Sequence, residues 1–301
     1  MRRIRELTRE EIVERIRDGV LSTCKNVVGI ILFGSFARGG KYRDVDVIVV
    51  LEGLDKPLLD RAGLEVDIRR AIGLIGLDVD VLIYDWEEFQ DDLKNRFPLL
   101  LDAAFDGRVI YDADGITSAL ETAREDAEAR GIRRTKTGGW QFPVVYREPT
   151  PLSPITNADW AKKWLDDAHR DLKAAETLFQ AELYDRCVTH CQQAVEKSIK
   201  AILACFGRWE RNHYVSGVLL QELNQHNLGD WTKTLTGLAD KAAQLEPAAI
   251  WSRYPRRLKD RIILPVEQYG EREAGEALTL TRKAYKIATE FVRWWFSACK
   301  E

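Results

Sequence analysis

The chain has 301 residues, a net charge of −3, 45% hydrophobic residues and 31% charged residues. That length suits about two globular domains, and the near-balanced charge excludes a protein coated overall with nucleic acid, so any such contact must be a local patch. No run of about eighteen apolar residues is present, which excludes a transmembrane helix. The charged, amphipathic start MRRIRELTREEIVERI has no signal-peptide core, so a cytoplasmic protein with no membrane contact is expected. Five cysteines, an odd number without framework spacing, predict no disulfide network.

Thr8-Arg9-Glu10-Glu11 reads as a capping box that starts a helix running to about Cys24, with Ile12, Ile16 and Val20 as its buried stripe. Residues 26–33 predict a strand, Ser35 opens a short helix or turn, and residues 45–51 predict a second strand. Residues 56–72 read as helix and 77–84 as a third strand. Asp85 caps a helix that continues to about Phe105, kinked or split by Pro98. Residues 108–111 form a short edge strand. The result is a mixed α/β domain over residues 1–115, with helices packed on one sheet.

Residues 116–130 are charged and helical. Residues 131–157 contain Pro143, Pro149, Pro151, Pro154 and the pair Gly138–Gly139, a density that predicts no regular structure. Trp140, Phe142, Val144, Val145 and Tyr146 are too apolar for a free tether. Residues 116–156 therefore read as a helical segment plus a linker that packs onto a neighbouring domain. From residue 157 the pattern is all-α. Helices are expected over 157–182, 184–206, 215–224, 231–245 and 271–300, an up-and-down bundle of about five helices filling residues 157–301.

The candidate chemistry lies in FGSFARGGKYRDVDVIVV, residues 33–50. Asp44 and Asp46 are two apart in a strand and so face one way. Adjacent carboxylates are best tolerated when a divalent cation neutralises them, and Mg²⁺ takes oxygen ligands together with substrate phosphate. Gly34 and Ser35 offer N–H groups and a hydroxyl to such a phosphate, and Arg38 adds a guanidinium. Gly-Ser, a short basic loop of eight residues and Asp-x-Asp resemble the signature of polymerase-beta-like nucleotidyltransferases. The resemblance implies a two-metal Mg²⁺ site, ATP or another NTP as substrate, and nucleotidyl transfer to a protein or RNA hydroxyl. It also implies a third carboxylate as general base, for which Asp80 is the first choice and Asp78 the reserve. Ordinary strand-end acids are the bland alternative.

The helical half resembles HEPN domains through YDRCVTHCQQAVEKSIKAIL, residues 184–203, and through the segments around Asn212-His213-Tyr214 and Ser252-Arg253-Tyr254-Pro255. Arg208 and His213, with four residues between them, match the HEPN ribonuclease pattern of an Arg and a His. There His213 is implied to work as acid or base and Arg208 to stabilise the phosphorane. A chance Arg–His spacing in a charge-rich chain is the competing reading. The combined resemblance implies a toxin–antitoxin-like fusion. In an alternative reading, the HEPN half is the RNase or RNA/nucleotide-binding module and the first domain regulates it. Cys187, His190 and Cys191 read as core rather than as a metal site, because no second pair at zinc spacing exists. Arg253, Arg256, Arg257, Lys259 and Arg261 form a basic run, read as a solvated face or as a phosphate contact. Phe291, Trp294, Trp295 and Phe296 cover more than one face of the last helix, which predicts a homodimer through the helical half.

Overall fold

The structure is a computed structural model that describes residues 7–54, 58–73 and 76–297. The expected helix start at residue 56 and the last residues of the expected final helix lie outside the described residues. The chain divides into two compact units, Met1–Arg130 and Gly131–Glu301.

In the first unit, α1 (Arg9–Thr23) begins at the expected capping box: the Glu11 amide donates to Thr8 Oγ1 at 3.2 Å and the Thr8 amide donates to Glu11 Oε2 at 2.8 Å. β1 (Val27–Phe33) is buried at all seven positions. The turn α2 (Gly34–Ala37) follows, then β2 (Asp44–Leu51), α3 (Ala62–Ile72) and β3 (Asp78–Asp85). Pro98 splits the next helix rather than kinking it. α4 (Trp86–Lys94) ends, and α5 (Pro98–Asp106) starts with the proline in its first turn, where its missing N–H has no partner to lose. β4 (Arg108–Asp112) and α6 (Ile116–Ala129) complete the unit.

The four strands lie in the order β3-β2-β1-β4, with β2 and β3 parallel and the other pairs antiparallel. Both faces are covered. Val45, Val47 and Val49 pack with the apolar sides of α1 and α3. Ile31, Phe33, Ile48 and Val50 pack with α4, α5 and α6. A strand buried on both sides reads as a continuous apolar run, which is why VVGIILF shows no alternation.

The second unit holds α7 (Asn157–Gln180), α8 (Tyr184–Cys205), α9 (Ser216–Leu223), α10 (Asp230–Leu245), the short α11 (Ala248–Trp251) and α12 (Glu271–Trp295). Its main core gathers Val195, Ile199, Ile202, Leu219, Leu235 and Phe291 from four of these helices.

Residues 131–156 depart from the expected irregular linker. They contribute β5 (Arg133–Arg134) and β6 (Trp140–Gln141), which pair with β7 (Arg208–Trp209) beyond α8 in a small three-stranded sheet. Trp140 is fully buried, sits opposite Trp209 in register, and carries the Arg134 guanidinium 4.6 Å from its ring centroid. Local proline and glycine density masked these strands, and β7, the second partner of β6, is far away in sequence. The aromatic side chains of α12 are also spent within the unit. Trp295 meets Phe206 at 5.0 Å and Tyr146 at 5.0 Å, and Trp231 meets Phe291 at 5.3 Å and Trp294 at 5.8 Å. Arg147 lies 4.3 Å over Trp294 and donates to its carbonyl at 2.7 Å. The expected aromatic surplus is therefore not free surface. Tyr146 and Arg147, from the segment before the bundle, cover it.

Truncating Trp140 to alanine is expected to destabilise the second unit by about 3–5 kcal/mol, the cost of an unfilled cavity at a buried aromatic position. Denaturant unfolding followed through the remaining tryptophans reads this out. A change below about 1 kcal/mol would mean that the small sheet is not part of the unit's core.

Candidate functional site

The antiparallel register pairs Phe33 with Asp46, so the last residue of β1 lies beside the second acid of β2. The next residue, Gly34, takes φ 72, and a β-carbon there would overlap Asp46 Oδ2. Only glycine both adopts this backbone readily and lets the carboxylate come so close. The parallel register then pairs Asp44 with Asp78 and Asp46 with Asp80. Residues paired in register share a face, so four carboxylates form two rungs on one side of the sheet. Asp44 and Asp46 are half-buried, and Asp78 and Asp80 are exposed. The rungs continue the face of Ile48 and Val50, past the end of the apolar packing.

Ser35 is half-buried within α2 and Arg38 follows directly after that turn. The Arg38 guanidinium reaches Asp106 of α5 at 3.2 Å. The basic loop is held from outside the motif. Arg9 of α1 lies over the rings of Phe36 (4.9 Å) and Tyr42 (4.8 Å) and donates to the Gly40 carbonyl at 3.3 Å. The loop's placement therefore depends on a residue that motif reading passed over. Its signal was an arginine in the first turn of a helix followed by aromatic residues flanking the glycines. Among the described residues, no three His, Cys, Asp or Glu side chains stand close enough to enclose a metal ion by themselves. An all-oxygen donor set on one face nevertheless fits a hard divalent cation that completes its shell with phosphate and water.

In the helical unit Arg208 and His213 are held by different partners. Arg208 is nearly buried. Its Nε donates to Glu210 at 2.6 Å, one terminal nitrogen to Glu222 at 3.1 Å and the other to Thr137 Oγ1 at 2.9 Å. Both carboxylates are buried, so this guanidinium is tied into a structural ion network. His213 is mostly exposed, and its Nδ1 lies 3.1 Å from both oxygens of the buried Glu196. Glu196 is itself held by Lys200 Nζ at 2.9 Å and by Gln192 Nε2 at 3.1 Å. A buried carboxylate that takes one ring nitrogen fixes the imidazole and turns the other nitrogen outward, as an acid–base histidine needs. Gln192, Glu196 and Lys200 had one sequence signal: three polar residues at four-residue spacing, and so on one face, beside the apolar stripe of Val188, Val195 and Ile199.

Cys187 and Cys191 are buried with sulfurs 3.9 Å apart. The Cys191 thiol is pushed well above its usual range by its hydrogen bond with Cys187 and by burial, so it packs in protonated form. His190 Nδ1 meets Asp171 at 2.9 Å. The basic run forms a hairpin, β8 (Arg256–Leu258) and β9 (Arg261–Ile263), which the sequence reading did not expect. Among the described residues no helix is long and apolar enough to cross a membrane.

Two protein-family models match the chain, one over each unit. Residues 13–111 match the nucleotidyltransferase domain model and residues 161–292 match the HEPN domain model. The chain belongs to the nucleotidyltransferase and HEPN families, in that order from its start. It is 31% identical over 138 residues to "Putative toxin MJ1304" of Methanocaldococcus jannaschii, across 46% of this chain and 91% of that protein. It is 32% identical over 113 residues to "Putative protein adenylyltransferase MJ1305" of the same organism, across 35% of this chain and 76% of that protein. Among solved structures, TT1696 from Thermus thermophilus aligns with 44% of this chain and 97% of its own, at 23% identity and a TM-score of 0.37.

Two substitutions test the geometry. Gly34→Ala is expected to cost about 1–2 kcal/mol through its left-handed backbone alone, and more because Asp46 must move aside. An unfolding midpoint equal to wild type would show that Asp46 does not need its place against the turn. Arg208→Ala is expected to destabilise the helical unit by about 3–5 kcal/mol, because it leaves two buried carboxylates without their cation. Thermal unfolding of the variant reads this out, and an unchanged midpoint would contradict the structural role.

Proposed function

We propose that the first unit transfers a nucleoside monophosphate, AMP from Mg-ATP, to a protein tyrosine or RNA hydroxyl. We also propose that this activity is coupled to the HEPN unit in a toxin–antitoxin-like chain. One observation supports the reading most: Asp46 lies against the Gly34 turn with Asp44 two residues before it and Asp80 beside it. Asp44 and Asp46 would hold Mg²⁺, which when bound supplies charge neutralisation for the triphosphate. Gly34, Ser35 and Arg38 cradle phosphate oxygens, and Arg38 exchanges Asp106 for phosphate in doing so. Asp80 takes the proton of the acceptor hydroxyl. That oxygen then bonds to the α-phosphorus as the bond to the bridging oxygen of pyrophosphate breaks. The relative named as a protein adenylyltransferase favours a protein acceptor.

Three tyrosines of the second unit are exposed: Tyr146, Tyr214 and Tyr254. The Tyr146 hydroxyl already donates to the Asn227 carbonyl at 3.3 Å, which leaves Tyr214 and Tyr254 as the better acceptors on this chain. A second reading makes the HEPN unit a ribonuclease, with His213 oriented by Glu196 as its acid or base. It rests on the exposed imidazole held by a buried carboxylate. In that reading two helical units pair, and the assembly has twice the 34.5 kDa mass of the chain in light scattering.

Incubation with Mg²⁺ and ATP labelled at the α-phosphate is expected to label the wild-type chain or an added RNA. Asp44→Asn and Asp46→Asn are expected to lose at least 100-fold in rate with the fold intact, a loss on the order of 3 kcal/mol. Labelling that survives both substitutions would remove the basis of the assignment. In the same samples RNA cleavage, where it occurs, is expected to disappear in His213→Ala and to fall in Glu196→Gln. Cleavage that persists in both would place the centre elsewhere.

A further inference from the structure

The hairpin β8–β9 carries charge that neither the nucleotide site nor the buried polar residues of α8 use. Arg253, Arg256, Arg257, Lys259 and Arg261 place five cations within nine residues, and Asp260 is the one acid among them, in a chain whose net charge is −3. Among the described residues none of the five is ion-paired, but Arg253 and Arg256 are half-buried and the Arg253 guanidinium donates to the Gln193 side chain at 2.9 Å, which leaves Arg257, Lys259 and Arg261 exposed. Arg256 lies 5.1 Å from the ring centroid of Trp251, and Arg257 Nε donates to the Lys259 carbonyl at 2.9 Å. Cations elsewhere in the unit are spent differently, as at Arg208, Lys197 and Lys200, which all hold carboxylates.

The register Leu258↔Arg261 makes a two-residue turn of Lys259 and Asp260, with Lys259 at φ 54. That backbone is the usual place of glycine, asparagine or aspartate in such turns. Here it carries a lysine at the exposed tip. The pair Arg257↔Ile262 lies on the face opposite Ile263, the one buried residue of the two strands. Ile262 is 71% exposed and Tyr254, just before the hairpin, 62%. Leu264 and Val266 beyond it are exposed as well. The hairpin is thus a narrow ribbon with three exposed cations, Arg257 on one face, Arg261 on the other and Lys259 at the tip, next to the open phenol ring of Tyr254 and apolar side chains in water.

We infer that this hairpin is a docking arm for a single-stranded polynucleotide. Charge complementarity decides the class. Unpaired guanidinium and ammonium groups match a backbone that carries one negative charge per nucleotide, and releasing its counterions drives association. The open ring decides the strand state. Tyr254 and the neighbouring apolar side chains contact the faces of unstacked bases, which a duplex keeps covered. A two-stranded ribbon tracks such a strand without reading its sequence. This inference does not rest on nucleotide transfer or on ribonuclease chemistry; Tyr254 is shared with the proposed acceptors, and a binding assay without ATP reads the docking role separately.

The test uses the full chain and a fluorescein-labelled 20-nucleotide RNA of mixed sequence, with anisotropy measured over a range of salt concentrations. Wild type is expected to bind with affinity that falls linearly in log–log form against salt. The double substitution Arg257→Gln with Arg261→Gln is expected to weaken binding at least tenfold and to reduce the slope by about 1.4, near 0.7 for each phosphate that is no longer neutralised. Tyr254→Ala is expected to lose roughly tenfold for single-stranded RNA with little change in slope. Circular dichroism confirms that each variant keeps its helices. Three results would overturn the inference. One is equal affinity and slope in the double variant. Another is tighter binding to the matching duplex than to the single strand. The third is no RNA binding by wild type together with hairpin-dependent binding to phosphatidylglycerol vesicles, or with self-association that Ile262→Ser abolishes.

Discussion

The pairing of Phe33 with Asp46 is the constraint on which the candidate nucleotide site depends. A strand offset of one residue would turn Asp44 and Asp46 into the core and expose Val45 and Val47. That slip is prevented because Val45, Val47 and Val49 are fully buried against α1 and α3 while Ile48 and Val50 are fully buried on the other face. At about 1.5–3 kcal/mol per buried aliphatic side chain, the apolar faces outweigh the cost of two neighbouring carboxylates. The hydrophobic sheet thus forces the acids together at its polar end. Gly34 completes the arrangement, since any side chain there would push Asp46 away.

The first unit was legible in the sequence because its signals are local. The Thr8 capping box, the apolar runs of β1 and β2 and the cap at Asp85 each lie within a few residues of the element they specify. The acids were legible for the same reason: alternation in a strand needs only two residues to show a shared face. Asp78 and Asp80 were ambiguous because their parity is identical, and the structure keeps both on one face, one rung apart. What could not be read was pairing across long separations. β6 pairs with β7, which lies beyond two long helices. Arg208 looked like a catalytic cation by its spacing to His213. Only folding reveals Glu210 and Glu222 around it.

The aromatic side chains of α12 teach a related lesson. Counting rings on a helical wheel suggested more apolar surface than one bundle needs. The count omitted Tyr146 and Arg147, which a proline-rich segment brings back over Trp294 and Trp295. Three polar residues were not singled out from the sequence at all. Gln192, Glu196 and Lys200 sit in the buried stripe of α8, where burial is costly without partners. Gln192 Nε2 and Lys200 both hold the Glu196 carboxylate, and His213 is the group of this set that reaches solvent. A buried polar chain thus ends in an exposed imidazole in the helical unit.

The most direct test of the carboxylate site is electron paramagnetic resonance of Mn²⁺ with a non-hydrolysable ATP analogue bound to the full chain. Mn²⁺ takes the same hard oxygen ligands as Mg²⁺. A bound Mn²⁺ with resolved coupling to phosphorus in wild type, absent in Asp46→Asn and weakened in Gly34→Ala, is the predicted result. Mn²⁺ and nucleotide bound equally well in Asp46→Asn would contradict the site.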